Sequence, residues 1–455
     1  MSFLILDIYP SDSWRLVKDT AGGYGTGNNF GNNLLGKIFN YFVSKTISMP
    51  PMSAIYIHSI LKSKGFQVNY TRKIPKKTIL ESYDYIIMPS SIISHETEVR
   101  VLKDLTNNGF RVFVIGIFGN VKKSAYKMKN SFVVPGEPES FFMENDFDVK
   151  SLEKFFLDEN KNYLGKPFVE NLDKIPFPSW DDYLNKYPLR NNFLEFNSKD
   201  AIPLLATRGC PYSCFNYCTY PLQQGRKVRF RSVENIISEI KKWKSQLGSE
   251  KFIFRDPVFS INRKHTVDLC EKIINSKKKF KIGIETHLKN IDDDLAHLLK
   301  KAGVNLVYVG IESSDMDVKK DASRISDTDI NQVLKINYLE KIGIKVKSMY
   351  IVGLPADTKD TYKNTFNYAK KINSTYAQFN VFTPYPGTPV FKEYEKKITA
   401  KEYQEFTQNE LVFDHKILSK KDIFEMLDNS YVSYYTNPKW LLKFLFLKIR
   451  TAFNN

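Results

Sequence analysis

Cysteine is scarce, with four in 455 residues. A chain this poor in thiols is no disulfide-braced secreted scaffold. Long apolar runs are missing too. No stretch of about eighteen apolar residues passes without a charge, so no transmembrane helix is expected. The opening Met-Ser-Phe-Leu-Ile-Leu-Asp-Ile carries neither a basic region nor a long apolar stretch, and no secretory leader is read there. A cytoplasmic, reducing location is the expectation. Acid is in deficit: Lys+Arg 67 against Asp+Glu 50 leaves +17. The lysines are spread along the chain with no compact basic run, so no nucleic-acid partner is expected.

What the chain does have is a concentration of its few thiols. Cys210, Cys214 and Cys218 lie in Ala206-Thr-Arg-Gly-Cys-Pro-Tyr-Ser-Cys-Phe-Asn-Tyr-Cys218. The apolar residues Ile202 to Ala206 read as a short buried strand. A strand running into a Gly-Cys-Pro loop places its thiols at the carboxyl end of a sheet, where α/β proteins keep their chemistry. Three clustered thiolates suit an iron–sulfur cluster with one iron left open. Spacing alone leaves two alternatives: a zinc site completed from elsewhere in the fold, and a disulfide with a spare thiol.

Around this loop the chain alternates strand and helix. Over residues 1–145 the strands are Phe3 to Ile8, Phe66 to Tyr70, Asp84 to Pro89 and Arg111 to Gly116, with helices ending at Gly65 and Gly109. This is the mark of a doubly wound, Rossmann-like α/β domain. Gly22-Gly-Tyr-Gly-Thr-Gly-Asn-Asn-Phe-Gly31 misses the G-x-G-x-x-G spacing, so a plain loop and a ligand-facing one are equally supported. Residues 146–199, with four prolines and no sustained period, read as a connector. Strands return at Phe252, Lys281, Val304, Ile344 and Gln378, with Ser232 and Asp292 capping helices between them. A partial (β/α) barrel over 200–395 follows. Residues 396–455 read as helical. The last helix, from Pro438, is basic and amphipathic; it either docks on the barrel, the stronger reading, or lies on an anionic membrane surface.

Strand after strand ends in a polar residue: Asp256, then Glu285, then Glu312 with Ser313. Alone each is an ordinary cap or surface charge. Converging with three thiols at one barrel mouth, they could bind the amino, carboxylate and ribose groups of a cofactor. With these motifs in order, the chain resembles a radical S-adenosylmethionine (SAM) enzyme. Phe254-Arg-Asp-Pro-Val-Phe-Ser, Ile284-Glu-Thr, Gly310-Ile-Glu-Ser, Gly353-Leu-Pro-Ala-Asp-Thr and Pro384-Tyr-Pro-Gly-Thr-Pro follow the cysteine loop as they do in that family. The first half resembles the cobalamin (B12)-binding domain that precedes the barrel in one subgroup, through Pro50-Pro51 and Pro135-Gly-Glu-Pro-Glu139. Two departures stand out. Three residues separate Cys214 from Cys218 where the family has two, and no Asp-x-His-x-x-Gly offers cobalt a histidine.

The resemblance implies the rest. Cys210, Cys214 and Cys218 would hold a [4Fe-4S] cluster, and Tyr217 would lie against the adenine of SAM. Reductive cleavage of SAM would functionalise an unactivated carbon, with cobalamin-dependent C-methylation the first choice. The alternatives are a radical cyclase or rearranging enzyme, and a non-catalytic metal-stabilised binding protein. An electron donor such as flavodoxin or ferredoxin is implied. The aromatic content and basic tail would suit a lipid or glycan-precursor substrate near a membrane, though no residue names it. Cys270, on the apolar face of a helix, reads as an inert buried thiol.

Overall fold

Two parallel sheets carry the chain. The computed structural model describes residues 1–453 apart from 11–15, 28, 30, 32, 45–49, 146–148, 158–164, 189–200, 213–215 and 323–328. The first sheet holds β1 (Ser2–Leu6), β2 (Gln67–Thr71), β3 (Tyr85–Pro89), β4 (Val112–Ile115) and β5 (Ser131–Val133), in the order β2-β1-β3-β4-β5. All of its pairings are parallel. The inner strands β3 and β4 are buried along their whole length, as expected where helices cover both faces. Between β1 and β3 the strand order reverses. In open α/β sheets that switch point leaves a crevice at the carboxyl ends, where ligands bind.

The second sheet runs β6 (Ile202–Leu204), β7 (Lys251–Phe254), β8 (Lys281–Glu285), β9 (Val304–Glu312), β10 (Lys345–Val352) and β11 (Tyr376–Val381), each beside its predecessor. Every step is parallel. Among the described residues β6 and β11 do not pair with each other, so the barrel is partial. Residues Phe252, Phe254, Ile282, Ile284, Val307 and Val346 are buried in the main core. The alternating residues Ile253, Leu306 and Tyr308 form a separate cluster on the other face, joined by Ala201 and Tyr376. That second face lines the barrel lumen.

The helix starts come from their caps. The Ser232 side chain accepts from the Asn235 amide, and Asp292 accepts from Leu295, each satisfying an otherwise orphaned donor. Short β5, with only three residues, is a strand the sequence pattern does not reveal. The described part of 146–199 is tied down at many points. Val169 N donates to Glu137 Oε2 at 3.0 Å, Ser232 N to Asp173 Oδ1 at 2.8 Å and Ser59 Oγ to the Phe177 carbonyl at 2.6 Å.

The glycine-rich stretch turns out to be a clasp between the two sheets' loops. Gly22 sits at φ 58°, and a Cβ there would lie 2.7 Å from Thr219 Oγ1. Only glycine fits so close a left-handed turn. Thr219 Oγ1 donates to the Ala21 carbonyl at 2.6 Å, and the buried Tyr24 hydroxyl donates to the Pro386 carbonyl at 2.5 Å.

Candidate active site

The cysteine loop hangs from a two-stranded ribbon in which Thr207–Arg208 pairs antiparallel with Arg229–Phe230. Its entry is tight. Gly209 lies at φ 97°, and a side chain there would run into the Lys227 carbonyl. Gly209 N donates to Gln224 Oε1 at 3.0 Å and Cys210 N to the Gly225 carbonyl at 3.1 Å. Cys210 is buried and Cys218 half-buried on this one loop. Cys214 falls outside the described residues. Tyr217 presents its ring edge-on to Phe382, at 5.4 Å between centroids, just beyond β11.

Asp256 was expected to face a cofactor. It is fully buried, and its carboxylate accepts from Ala206 N at 3.1 Å, from Thr207 Oγ1 at 2.6 Å and from Thr207 N. As placed, it anchors the start of the cysteine loop from behind. Burial pushes its pKa up to about 6, against the pull of the Thr207 and Ala206 donors. A raised carboxylate pKa favours the fold while the group is protonated. That stability is full below about pH 4 and is lost as pH rises through about 6. Asp256→Asn should therefore remove about 3 kcal/mol of pH dependence between those limits. Denaturant titrations of both proteins at a series of pH values check this; parallel profiles would rule it out.

Glu285 and Arg255 do point into the mouth. Arg255 Nη1 bonds Glu285 Oε1, and Tyr220, two residues past Cys218, donates its hydroxyl to Glu285 Oε2 at 3.2 Å. Arg255 also reaches across to the first domain, donating to the Asp19 carbonyl at 3.2 Å. Burial raises the Asp19 carboxyl to about 6, with Arg255 opposing. Deeper in the barrel, Lys347 lies with its ammonium 5.4 Å from the Tyr308 ring centroid, and burial lowers its pKa to about 8.

Glu312 ends β9 at φ 67°, where the register against β10 shifts after Gly310. Such a left-handed non-glycine residue at a bulge is a strained feature of the kind that re-aims side chains at sites. Ser313 is buried. Its hydroxyl lies 3.0 Å from Thr365 Oγ1 and accepts from Asp315 N at 3.1 Å, so it organises the loop behind the mouth.

Two acidic residues of the first domain grip the base of the cysteine loop. Arg229 is bidentate on Glu137, at 2.8 and 2.7 Å. Arg208 Nη2 reaches Glu139 Oε1 at 3.0 Å, with Glu137 3.5 Å away. All four side chains are at most 6% exposed. Burial would raise the Glu137 pKa, but Arg208 and Arg229 hold it below the ordinary value.

Between the two domains lies a cavity with about 870 Å³ of empty space, including the part open to solvent. One wall is the switch-point end of the first sheet: Asp19, Gly22, Ser53, Ser90, Gly116. The other is the barrel mouth, with Arg208, Tyr220, Gln223 and Arg255. No histidine lines it among the described residues. The sequence pattern did not single out Asp19, Arg208, Tyr220 or Arg255, although Arg208 and Arg255 stand inside quoted motifs.

Residues 204–369 match the model of the Radical SAM superfamily. Those residues form a radical SAM domain, which implies a [4Fe-4S] cluster and SAM. It is 28% identical over 330 residues, 69% of each protein, to an uncharacterized methyltransferase of Pyrococcus horikoshii. Over 387 residues it is 23% identical to bacteriochlorophyllide d C-12(1)-methyltransferase of Chlorobaculum tepidum, covering 84% of this chain and 81% of that one. Its fold resembles the radical SAM methyltransferase TsrM of Kitasatospora setae, solved with cobalamin and a [4Fe-4S] cluster. The TM-score is 0.59 at 15% identity, covering 87% of this chain and 78% of that one.

Proposed function

We propose that this radical SAM enzyme is a cobalamin-dependent C-methyltransferase acting on a small molecule. One observation carries the reading. The carboxyl ends of two parallel sheets meet across a single cavity, with the cysteine loop at one wall and a Rossmann switch point at the other. The methyltransferases among its relatives, and the likeness in fold to a cobalamin-bound methyltransferase, support it.

The residues fit the groups this requires. A cysteine loop with three thiols offers a cluster three irons' worth of ligands, and Glu285, Glu312 and Tyr217 stand at the strand ends where SAM would bind. On the opposite wall Gly22, Ser53, Ser90 and Gly116 are small enough to leave room for a flat macrocycle. Among the described residues no histidine lines that wall, so none of them would offer cobalt an imidazole. When bound, these cofactors supply reductive SAM cleavage, hydrogen abstraction and a transferable methyl group.

The chain's own part is positioning and exclusion of water. The first domain covers the barrel mouth, which limits the reacting centre's access to solvent. Arg255 bridges the two walls through Asp19 and Glu285, and Glu137 and Glu139 fix the cysteine loop at its base. An electron donor such as flavodoxin or ferredoxin belongs to the proposal. So does a cytoplasmic location with a peripheral membrane contact through the last helix.

Anaerobic reconstitution with iron, sulfide and hydroxocobalamin tests this. The expected product is a brown protein that keeps cobalamin through gel filtration and moves label from methyl-labelled SAM to a carbon acceptor. A protein that cleaves SAM yet retains no cobalamin would overturn the methyltransferase reading.

A further inference from the structure

The last helix, Pro438–Phe453, is docked by one side only. Trp440 is buried and donates its indole N–H to the Thr375 carbonyl at 3.0 Å, while Lys443 pairs with Glu340. Phe444 packs on the lumen cluster of Ala201, Leu306, Tyr308 and Tyr376. Thr375 directly precedes β11 and Ala201 directly precedes β6. The helix therefore closes the amino end of the barrel, opposite the mouth.

Its other side is exposed among the described residues. Leu441, Leu442, Leu445, Phe446 and Ile449 are 44–70% exposed. Their spacing puts them on one helical face. A helix that merely caps a barrel needs one apolar stripe; this one has two. Solvent-facing apolar surface of this kind marks a docking site. The charge says for what. Residues 436–455 contain Lys439, Lys443, Lys448 and Arg450 and no acid. Glu340 engages Lys443, and the sequence supplies three further cations, Lys439, Lys448 and Arg450. A protein partner accounts for the apolar stripe but gives no reason for a segment purged of acid. An anionic lipid surface accounts for both.

We propose that the outward face of the last helix binds an anionic membrane surface and holds the catalytic mouth away from it. The eight residues of β10 separate the two ends of the barrel, roughly 23 Å at about 3.3 Å per residue. The substrate then enters from water, not from the bilayer, which deepens the functional reading above by excluding a membrane-embedded lipid.

Co-sedimentation of the full chain with phosphatidylcholine vesicles, and with the same vesicles containing phosphatidylglycerol, tests the contact. The anionic vesicles should hold it about 100-fold more tightly, since three cations each add roughly fivefold near such a surface. The Leu442→Glu/Leu445→Glu/Phe446→Glu variant alters only exposed side chains and should lose the binding while keeping its thermal unfolding. Equal binding to both vesicles, binding that survives the variant, or a dimer that dissolves in the variant without vesicle binding each overturns the proposal. For orientation, brominated lipid should quench the added fluorescence of Phe446→Trp and leave that of Met316→Trp, an exposed position beyond the carboxyl end of β9, unchanged. Quenching at both positions overturns the orientation. Vesicle binding does not depend on cofactor loading, so its failure leaves the radical chemistry standing.

Discussion

Cys210→Ala is expected to lower bound iron to background after anaerobic reconstitution and to take SAM cleavage below detection, with Cys218→Ala and Cys214→Ala doing the same. A site-bound cluster with one open iron has three protein ligands, and losing one leaves two thiolates to hold four irons. The effect is large because it is not graded: without the cluster no electron reaches the sulfonium. Cys270→Ala is the internal control. That thiol lies inside the helix Arg263–Asn275, and burial pushes its pKa up to about 12, so it offers no thiolate at neutral pH. Iron content, the visible spectrum and 5′-deoxyadenosine release measure all four variants. Full iron and full cleavage in any loop variant would remove that cysteine from the ligand set.

The same residues show how far the sequence could be read. Buried strands such as Tyr85–Pro89 and Lys281–Glu285 announced themselves, because a strand covered on both faces must be apolar and must stop at a turn. Three-residue β5 gives no such run. At the strand ends, composition marks the places but not which way each side chain turns. Asp256 stands out because it is acidic. Yet alternation along β7 sends Arg255 toward the mouth and turns Asp256 behind the loop. Ser313 turns away for the same kind of reason, after the bulge at Glu312. Which neighbour faces the lumen depends on register, and register is set by pairing partners dozens of residues away. The last helix was legible as amphipathic, but only its docking shows that it has a second apolar face to spare.

Glu137→Gln is expected to destabilise the chain by about 3–5 kcal/mol, the usual cost of leaving a buried cation unpaired, here Arg229, while Arg208 keeps Glu139. Arg229 and Arg208 are 5% and 6% exposed, so neither guanidinium can turn to water for compensation. Glutamine keeps the shape and one acceptor, which isolates the charge as the cause. Since the Arg pair holds the Glu137 pKa below its ordinary value, the wild-type advantage should persist above about pH 4.3 and shrink as pH falls further, when Glu137 takes up its proton. Adding Arg229→Met should recover part of the loss, because it removes the stranded charge; the cycle of two single variants and the double variant measures the coupling. Urea unfolding provides the free energies. A second readout separates position from stability. Glu137 lies in the loop that follows β5, whereas Arg208 and Arg229 anchor the cysteine loop, so the variant should loosen the first domain over the barrel mouth. Limited proteolysis at temperatures well below unfolding should then cut between the domains in Glu137→Gln and not in the parent. A variant that unfolds like the parent and resists the protease equally would show that the buried ion pairs do not hold the two walls of the cavity together.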